Sequence, residues 1–280
     1  MSKHNESIRA VDAALRGDYD PALTTREFSK KISALGIKKA NTRSWQLLLL
    51  GLLAGLYIAF GSHVSLVALE QGMSRIAAGA VFGVGLVLVV IAGAELFTGN
   101  IIMLVGAVSL QFSLRKLLRS WVVVYAGNFL GALLLAWGVW QAGLLGGVGA
   151  LNPLGELAAV TAEAKIGLDF WPAFWRGFFC NMLVILAIIM ATMSKDIISK
   201  VICCILPVMI FVASGFEHCV ANMYFLPLGL MAQGAAPAGY LTMCSNLIPV
   251  TLGNIAGGTL ILFIHPNRIR QLTHLLNSRK

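Results

Sequence analysis

Two apolar runs in this chain are too long to be single membrane-crossing helices, and each carries a carboxylate in its middle. Residues 76–110 and 201–232 form runs of 35 and 32 residues. About 20 apolar residues are enough to cover a hydrocarbon core of about 30 Å. A continuous helix through either run would reach about 50 Å at about 1.5 Å per residue. It would also bury Glu95 or Glu217 in lipid or core. The polar interruptions read Glu95-Leu96-Phe97-Thr98-Gly99-Asn100 and Glu217-His218-Cys219-Val220-Ala221-Asn222. The pattern predicts two broken helices, because irregular backbone is tolerated at membrane depth where protein encloses it or it lines a cavity.

Four further apolar blocks, at roughly 45–62, 117–140, 172–193 and 247–264, have ordinary span length, which makes six spans. With 58% hydrophobic and 12% charged residues and a mean hydropathy of +0.82, the chain is expected to be an all-α integral membrane protein. A soluble enzyme with a normal surface, at about 25% charged residues, is excluded. The net charge of +9 is not a nucleic-acid signal, because eighteen of the 21 Lys and Arg lie in the two tails and in segments 111–120 and 194–200. Only Arg75, Lys165 and Arg176 face the other way. The positive-inside rule then places both termini in the cytoplasm, in a multi-pass protein of the inner (plasma) membrane in contact with lipid. The expected division is a basic tail over 1–43, a six-span transport domain over 44–265, and a C-terminal tail over 266–280. The first tail has no signal-peptide core, and Trp45 to Ser62 can act as an uncleaved signal-anchor. Segments around Arg9 to Arg16 and Arg26 to Lys39 can form amphipathic helices, lying on the cytoplasmic mouth or simply on an anionic membrane surface.

The two interrupted runs match each other. Gly93, Glu95 and Asn100 recur as Gly215, Glu217 and Asn222 at an offset of 122, which also aligns Gly55 with Gly177. Gly127, Asn128 and Gly131 recur as Gly253, Asn254 and Gly257 at an offset of 126. Spans one to three (about 44–140) therefore repeat as spans four to six (about 171–264). Three is an odd number, so the second copy is inverted in the membrane, and such repeats place a site at the midplane where discontinuous helices meet. Helix N-termini near that midplane favour an anion. Thr98 and His218 lie in the paired breaks.

Residues 94–100 (Ala-Glu-Leu-Phe-Thr-Gly-Asn), 213–223 (Ala-Ser-Gly-Phe-Glu-His-Cys-Val-Ala-Asn-Met) and 248–254 (Ile-Pro-Val-Thr-Leu-Gly-Asn) resemble the formate/nitrite transporter family, in order and spacing, over about residues 40–265. The resemblance implies an aquaporin-like six-helix protomer with its own pore, assembled as a homopentamer and passing small monovalent anions or their acids. Formate is the expected substrate, with nitrite and hydrosulfide as alternatives in the same family. It also implies a pore lining. Leu86 and Leu96 match the cytoplasmic constriction, and Phe82 and Phe211 the opposite one. Thr98 matches the threonine of the first break and His218 the pore histidine, with Asn181 and Asn222 nearby to polarise it. Lys165 matches a vestibule lysine. The offset of 122 sets Arg43 opposite Lys165 as a second cationic mouth.

An ionisable residue inside a membrane is functional by default, which favours a pore role for His218 over that of a satisfied core histidine. A neutral imidazole can donate one hydrogen bond to a carboxylate or nitrite oxygen, and can relay a proton to an incoming anion. Glu95 and Glu217 would repel an anion in its path, so their expected role is to accept hydrogen bonds inside the breaks, with Asn100, Asn128 and Asn254 tying the loops. Lys165 is expected in a loop with Glu156, Glu163 and Asp169. Phe82 and Phe211 would strip water from a permeant ion, which favours passage as the neutral acid or protonation at His218. The five cysteines read as small buried side chains, and no metal or cofactor is expected. An aquaporin would need paired Asn-Pro-Ala tips, and the single Asn-Pro-Leu (152–154) lies between spans. No hydrolase or metalloprotease motif supports an intramembrane enzyme.

Overall fold

The computed structural model describes residues 25–264. The segment around Arg9 to Arg16, His265 and the C-terminal tail lie outside the described residues. The chain is helical almost throughout. Helix α1 (Thr25–Asn41) is followed by α2 (Ser44–Glu70), α3 (Arg75–Ala92) and α4 (Phe97–Val108), which contains a 3-10 turn at Ile101–Met103. Helix α5 (Leu114–Gln141) leads through a two-residue ladder, β1 (Gly146–Gly147) antiparallel to β2 (Ala150–Leu151), into α6 (Pro153–Ile166). Then come α7 (Phe170–Met193), α8 (Ile197–Ala213), α9 (Cys219–Ala232) and, after a 3-10 turn at Pro237–Thr242, α10 (Met243–Ile264). Five helical segments are long and apolar enough to cross a membrane, those of α2, α3, α5, α7 and α10 with its 3-10 lead, among the described residues. Segments α4, α8 and α9 are apolar but shorter.

The long apolar runs do stop where the polar residues interrupt them. Gly93 ends α3 at φ 82°, and Gly215 follows the end of α8 at φ 71°, a left-handed conformation that a side chain disfavours. The three residues after each glycine leave helical geometry, and a new helix begins at Phe97 or Cys219.

Two asparagines complete the open backbone. Asn128 on α5 accepts the Phe97 N–H at 2.9 Å and donates to the carbonyls of Gly51 (2.7 Å) and Glu95 (3.0 Å). Asn254 on α10 does the same for the Cys219 N–H (2.9 Å) and the carbonyls of Gly177 (2.7 Å) and Glu217 (3.0 Å). The N–H of Glu95 finds Leu50 O at 3.1 Å and that of Glu217 finds Arg176 O at 3.2 Å. The loop-tying role expected of Asn128 and Asn254 thus appears as explicit bonds.

These bonds also correct the register of the repeat. Gly51, not Gly55, stands where Gly177 stands, because both carbonyls receive the tying asparagine. The first helices of the two halves start at Ser44 and Phe170, an offset of 126, whereas the second helices start at Arg75 and Ile197, an offset of 122. The physical reason is the longer first helix, 27 residues in α2 against 24 in α7.

Small residues let these elements approach. A Cβ on Gly51 would stand 3.0 Å from Val124 O, and one on Gly177 2.6 Å from Val250 O, so α2 seats on α5 as α7 seats on α10. Helix α3 crosses α8 through Gly79, where a Cβ would meet Met209 O at 2.8 Å. Two expectations change. Lys165 lies in the last turn of α6 rather than in a loop, because Asn152 accepts the Gly155 N–H at 2.9 Å and Pro153 follows as a helix starter. Among the cysteines, Cys180, Cys204 and Cys219 are buried as expected, but Cys203 is half-buried and Cys244 is exposed, since α10 turns Cys244 away from the core.

Asn254→Ala would orphan one buried N–H and two carbonyls, and about 1–3 kcal/mol per group gives a loss of at least about 3 kcal/mol. Thermal unfolding in detergent should show a midpoint several degrees lower for Asn254→Ala and for Asn128→Ala. An unchanged midpoint would contradict this account of the breaks.

Candidate functional site

Two cavities approach the breaks from opposite directions. The first, of about 650 Å³, is lined by α1 residues including Ile32, Leu35 and Lys39, with Val89, Glu95, Leu96 and Asn100. The second, of about 340 Å³, is lined among others by Lys165, Phe82, Phe211, Glu217, His218 and Asn222. Between them lies one side-chain hydrogen bond. Thr98 Oγ1 and His218 Nε2 are 2.9 Å apart, with Thr98 0% and His218 3% exposed.

Local geometry sets the histidine tautomer. His218 is the N-cap of α9, and its Nδ1 accepts the Ala221 N–H at 3.1 Å. An acceptor at Nδ1 leaves the proton of a neutral ring on Nε2, which then donates to Thr98 Oγ1. The threonine hydroxyl keeps its own hydrogen to give. Phe211 stacks on the His218 ring at 5.9 Å and 19°, and Phe82 meets Phe211 edge-on at 5.6 Å. The expected Phe82–Phe211 pair is therefore brought to the floor of the Lys165-side cavity. Leu96 lines the other cavity, at the place His218 holds in the second half: the Asn100 N–H bonds Leu96 O at 2.8 Å and the Asn222 N–H bonds His218 O at 2.9 Å. Leu86 is buried one turn after Phe82 and is not among the lining residues of either cavity.

Each break holds a lysine, a glutamate and an asparagine together. Lys165 Nζ reaches both carboxylate oxygens of Glu217 at 2.9 Å, and Asn222 Nδ2 donates to Glu217 Oε2 at 2.6 Å. In the other half, Lys39 Nζ is 2.6 Å from Glu95 Oε2 and from Asn100 Oδ1, and Asn100 Nδ2 donates to Glu95 at 2.7 Å. The partner of Lys165 in the repeat is thus Lys39, not Arg43. Arg43 is the residue preceding α2, outside this cluster. Lys39 was hidden because it comes from α1, ahead of the repeat. Applying the 126 offset of the tying asparagines to Lys165 would have found it.

Asn181 and Asn222 make no hydrogen bond with His218. Asn181 Nδ2 donates to Thr98 O (3.3 Å) and Asn254 O (2.7 Å), holding the Thr98 backbone instead. Asn222 Nδ2 also donates to Asn246 Oδ1 at 2.7 Å, and Asn246 in turn donates to Lys165 O at 2.9 Å. Asn246 is a buried member of the site with no counterpart motif in the sequence. Among the described residues, no cluster of metal-ligating side chains is present.

Residues 26–266 match the family model described as formate/nitrite transporter. The chain is 39% identical over 255 residues to the probable formate transporter of Methanothermobacter thermautotrophicus, covering 84% of this chain and 92% of that protein. It is 34% identical to the formate channel FocA of Haemophilus influenzae, covering 94% and 96% of the two chains. A solved pentameric formate channel with formate bound superposes with a TM-score of 0.67 at 33% identity, over 85% of this chain and 98% of that one. The chain is a membrane protein belonging to the formate/nitrite transporter family.

Proposed function

We propose that the chain forms a channel that carries formate and similar small monovalent anions across the membrane, with a proton exchanged near His218 during passage. The observation that carries this reading is the Thr98–His218 hydrogen bond at 2.9 Å, the polar contact between two blind cavities. A carboxylate arriving there meets two donors, the Nε2–H of His218 and the Thr98 hydroxyl, while Phe82, Phe211 and Leu96 leave little room for its water. A bare charge pays heavily for that dehydration, whereas a neutral acid does not. Lys39 and Lys165 lower the electrostatic barrier at the two approaches while Glu95 and Glu217 hold them in place. The same cation–carboxylate pairing explains why the half-buried Glu95 and the buried Glu217 stand beside an anion path.

The topology we assign has six crossings, the second made of α3 with α4 and the fifth of α8 with α9, in two inverted halves. It is supported by the matching breaks and bonds described above and by the solved relatives. Both termini lie in the cytoplasm of a plasma-membrane protein on the strength of the basic-residue bias, so the Lys39-side cavity faces the cytoplasm. The domain division follows: tails over 1–43 and 266–280 and a transport domain over 44–265, with α1 covering the Lys39-side cavity through Ile32 and Leu35. A homopentamer is supported by the pentameric relative. The residues assigned to the pore are His218, Thr98, Lys165, Asn181 and Asn222, with constrictions at Leu86, Leu96, Phe82 and Phe211.

His218→Asn keeps a good N-cap and removes the imidazole that can hand a proton to an arriving anion. In proteoliposomes, parent formate uptake should rise as external pH falls from about 8 to about 5, and the Asn variant should lose at least about tenfold of that rise. Equal pH profiles would remove His218 from proton exchange. Thr98→Val removes the hydroxyl at nearly constant shape and should cut formate flux at least about tenfold, with Thr98→Ser restoring most of it. Unchanged flux in the Val variant would contradict the pore path. Failure of the parent to pass formate at all would contradict the function.

A further inference from the structure

Arg75, Lys165 and Arg176, the three cations on the side away from the basic tails, all line one cavity. That lining contains one carboxylate, Glu217, and Lys165 already occupies both of its oxygens at 2.9 Å. Arg75 and Arg176 are exposed, and among the described residues neither forms an ion pair. Two guanidinium groups, neither of them in a contact ion pair although Arg176 also acts on Glu217 at longer range, therefore edge a recess of about 340 Å³ whose floor is Phe82, Phe211 and His218.

The fold itself does not call for arginine at either place. Arg75 is the first residue of α3, where the positive end of the helix dipole disfavours a cation. The repeat supplies an internal comparison. Helix α8, the counterpart of α3, begins with Ile197. The carbonyl of Arg176 receives the Glu217 N–H as the carbonyl of Leu50 receives the Glu95 N–H, and Leu50 lines the opposite cavity as Arg176 lines this one. The same two structural jobs are done elsewhere in this chain by apolar side chains.

We propose that Arg75 and Arg176 form an anion-capture site at the outer mouth, which holds a small carboxylate monoanion ahead of the Phe82–Phe211 constriction. It deepens the transport reading above and rests on it. The planar donor fork of arginine matches a carboxylate, and it stays charged at every working pH. Apolar walls such as Leu66, Phe216 and Phe225 keep the field of these charges inside the recess. A cleft lined by one sign of charge raises local concentration and entry rate by about 10- to 1000-fold, and salt removes the effect.

The test compares the parent with R75Q/R176Q and R75K/R176K, all as full-length chains in right-side-out vesicles. Formate influx is measured against external formate in potassium gluconate at about 20 mM and about 500 mM, where the screening length falls from about 20 Å to about 4 Å. The Gln pair should raise the external half-saturation concentration about tenfold at low salt and less than about twofold at high salt. The Lys pair, which keeps both charges, should stay within about threefold of the parent. Efflux half-saturation, set at the other mouth, should not follow. A Gln pair equal to the parent at low salt, a loss that survives high salt, or an equal loss in efflux would overturn the assignment. Formate-induced thermal stabilisation at low salt gives a readout independent of flux. It should appear in the parent and need about tenfold more formate in the Gln pair, and equal formate dependence in the two would overturn the capture site whether or not formate crosses. A parent that binds formate but passes none would instead sink the transport reading.

Discussion

Backbone left open at membrane depth has no water to complete its hydrogen bonds, so each stray N–H and C=O must find a partner within the protein. Asn128 and Asn254 meet that requirement here, each satisfying one N–H and two carbonyls from two different segments. The rest of the site depends on them. They permit α4 and α9 to start inside the protein, and so place Thr98 and His218 face to face. They also fix the loop that carries each glutamate, and with it the seat of each lysine. Glycines at 51 and 177 bring the tied helices close enough for a short asparagine side chain to reach.

The two halves share a scaffold and differ in their chemistry. At the position following the tied glutamate, one half has Leu96 and the other His218; two residues further, Thr98 is matched by Val220. Each half therefore contributes one polar group to a single central pair rather than two pairs. Val89 and Phe211 stand in the same relation, since the N–H of Ala94 bonds Val89 O and that of Phe216 bonds Phe211 O, both at 3.0 Å. Phe211 stacks on the imidazole, while Val89 lines the Lys39-side cavity. The symmetry supplies stable breaks, and the departures from it supply polarity and direction. The histidine cap adds a constraint on proton exchange: a proton on Nδ1 would face the Ala221 N–H and forfeit the cap, so exchange through Nε2 is the path compatible with a folded α9.

Much of this was legible in the sequence, for identifiable reasons. Carboxylates inside overlong apolar runs demand a break, and the Glu-to-Asn spacing recurs because the same hydrogen bond recurs in three dimensions. The Gly-Asn pairs at 127–128 and 253–254 keep one offset, and behind it lie matching bonds from Asn128 and Asn254 to the two breaks. What stayed hidden lies where contact crosses between separate helices. Lys39 reaches Glu95 from a helix outside the repeat, and Asn246 reaches both Asn222 and the Lys165 carbonyl without any local pattern. The pairing of Gly55 with Gly177 failed because one offset was carried across a helix whose length differs between the halves. Asn181 was placed beside the imidazole, yet its amide spends both donors on carbonyls, an outcome that depends on backbone positions no spacing rule encodes.

The central claim is that a small carboxylate crosses between the cavities by inserting at the Thr98–His218 contact. The most direct measurement is a high-resolution structure of the full chain in membrane-mimetic discs with formate present. The account predicts density for a planar triatomic group within hydrogen-bond distance of both Thr98 Oγ1 and His218 Nε2, with the direct bond between them lengthened or broken. Formate bound elsewhere, with that bond and the Phe82–Phe211 pair intact in a preparation that conducts formate, would place the path somewhere else and contradict the account.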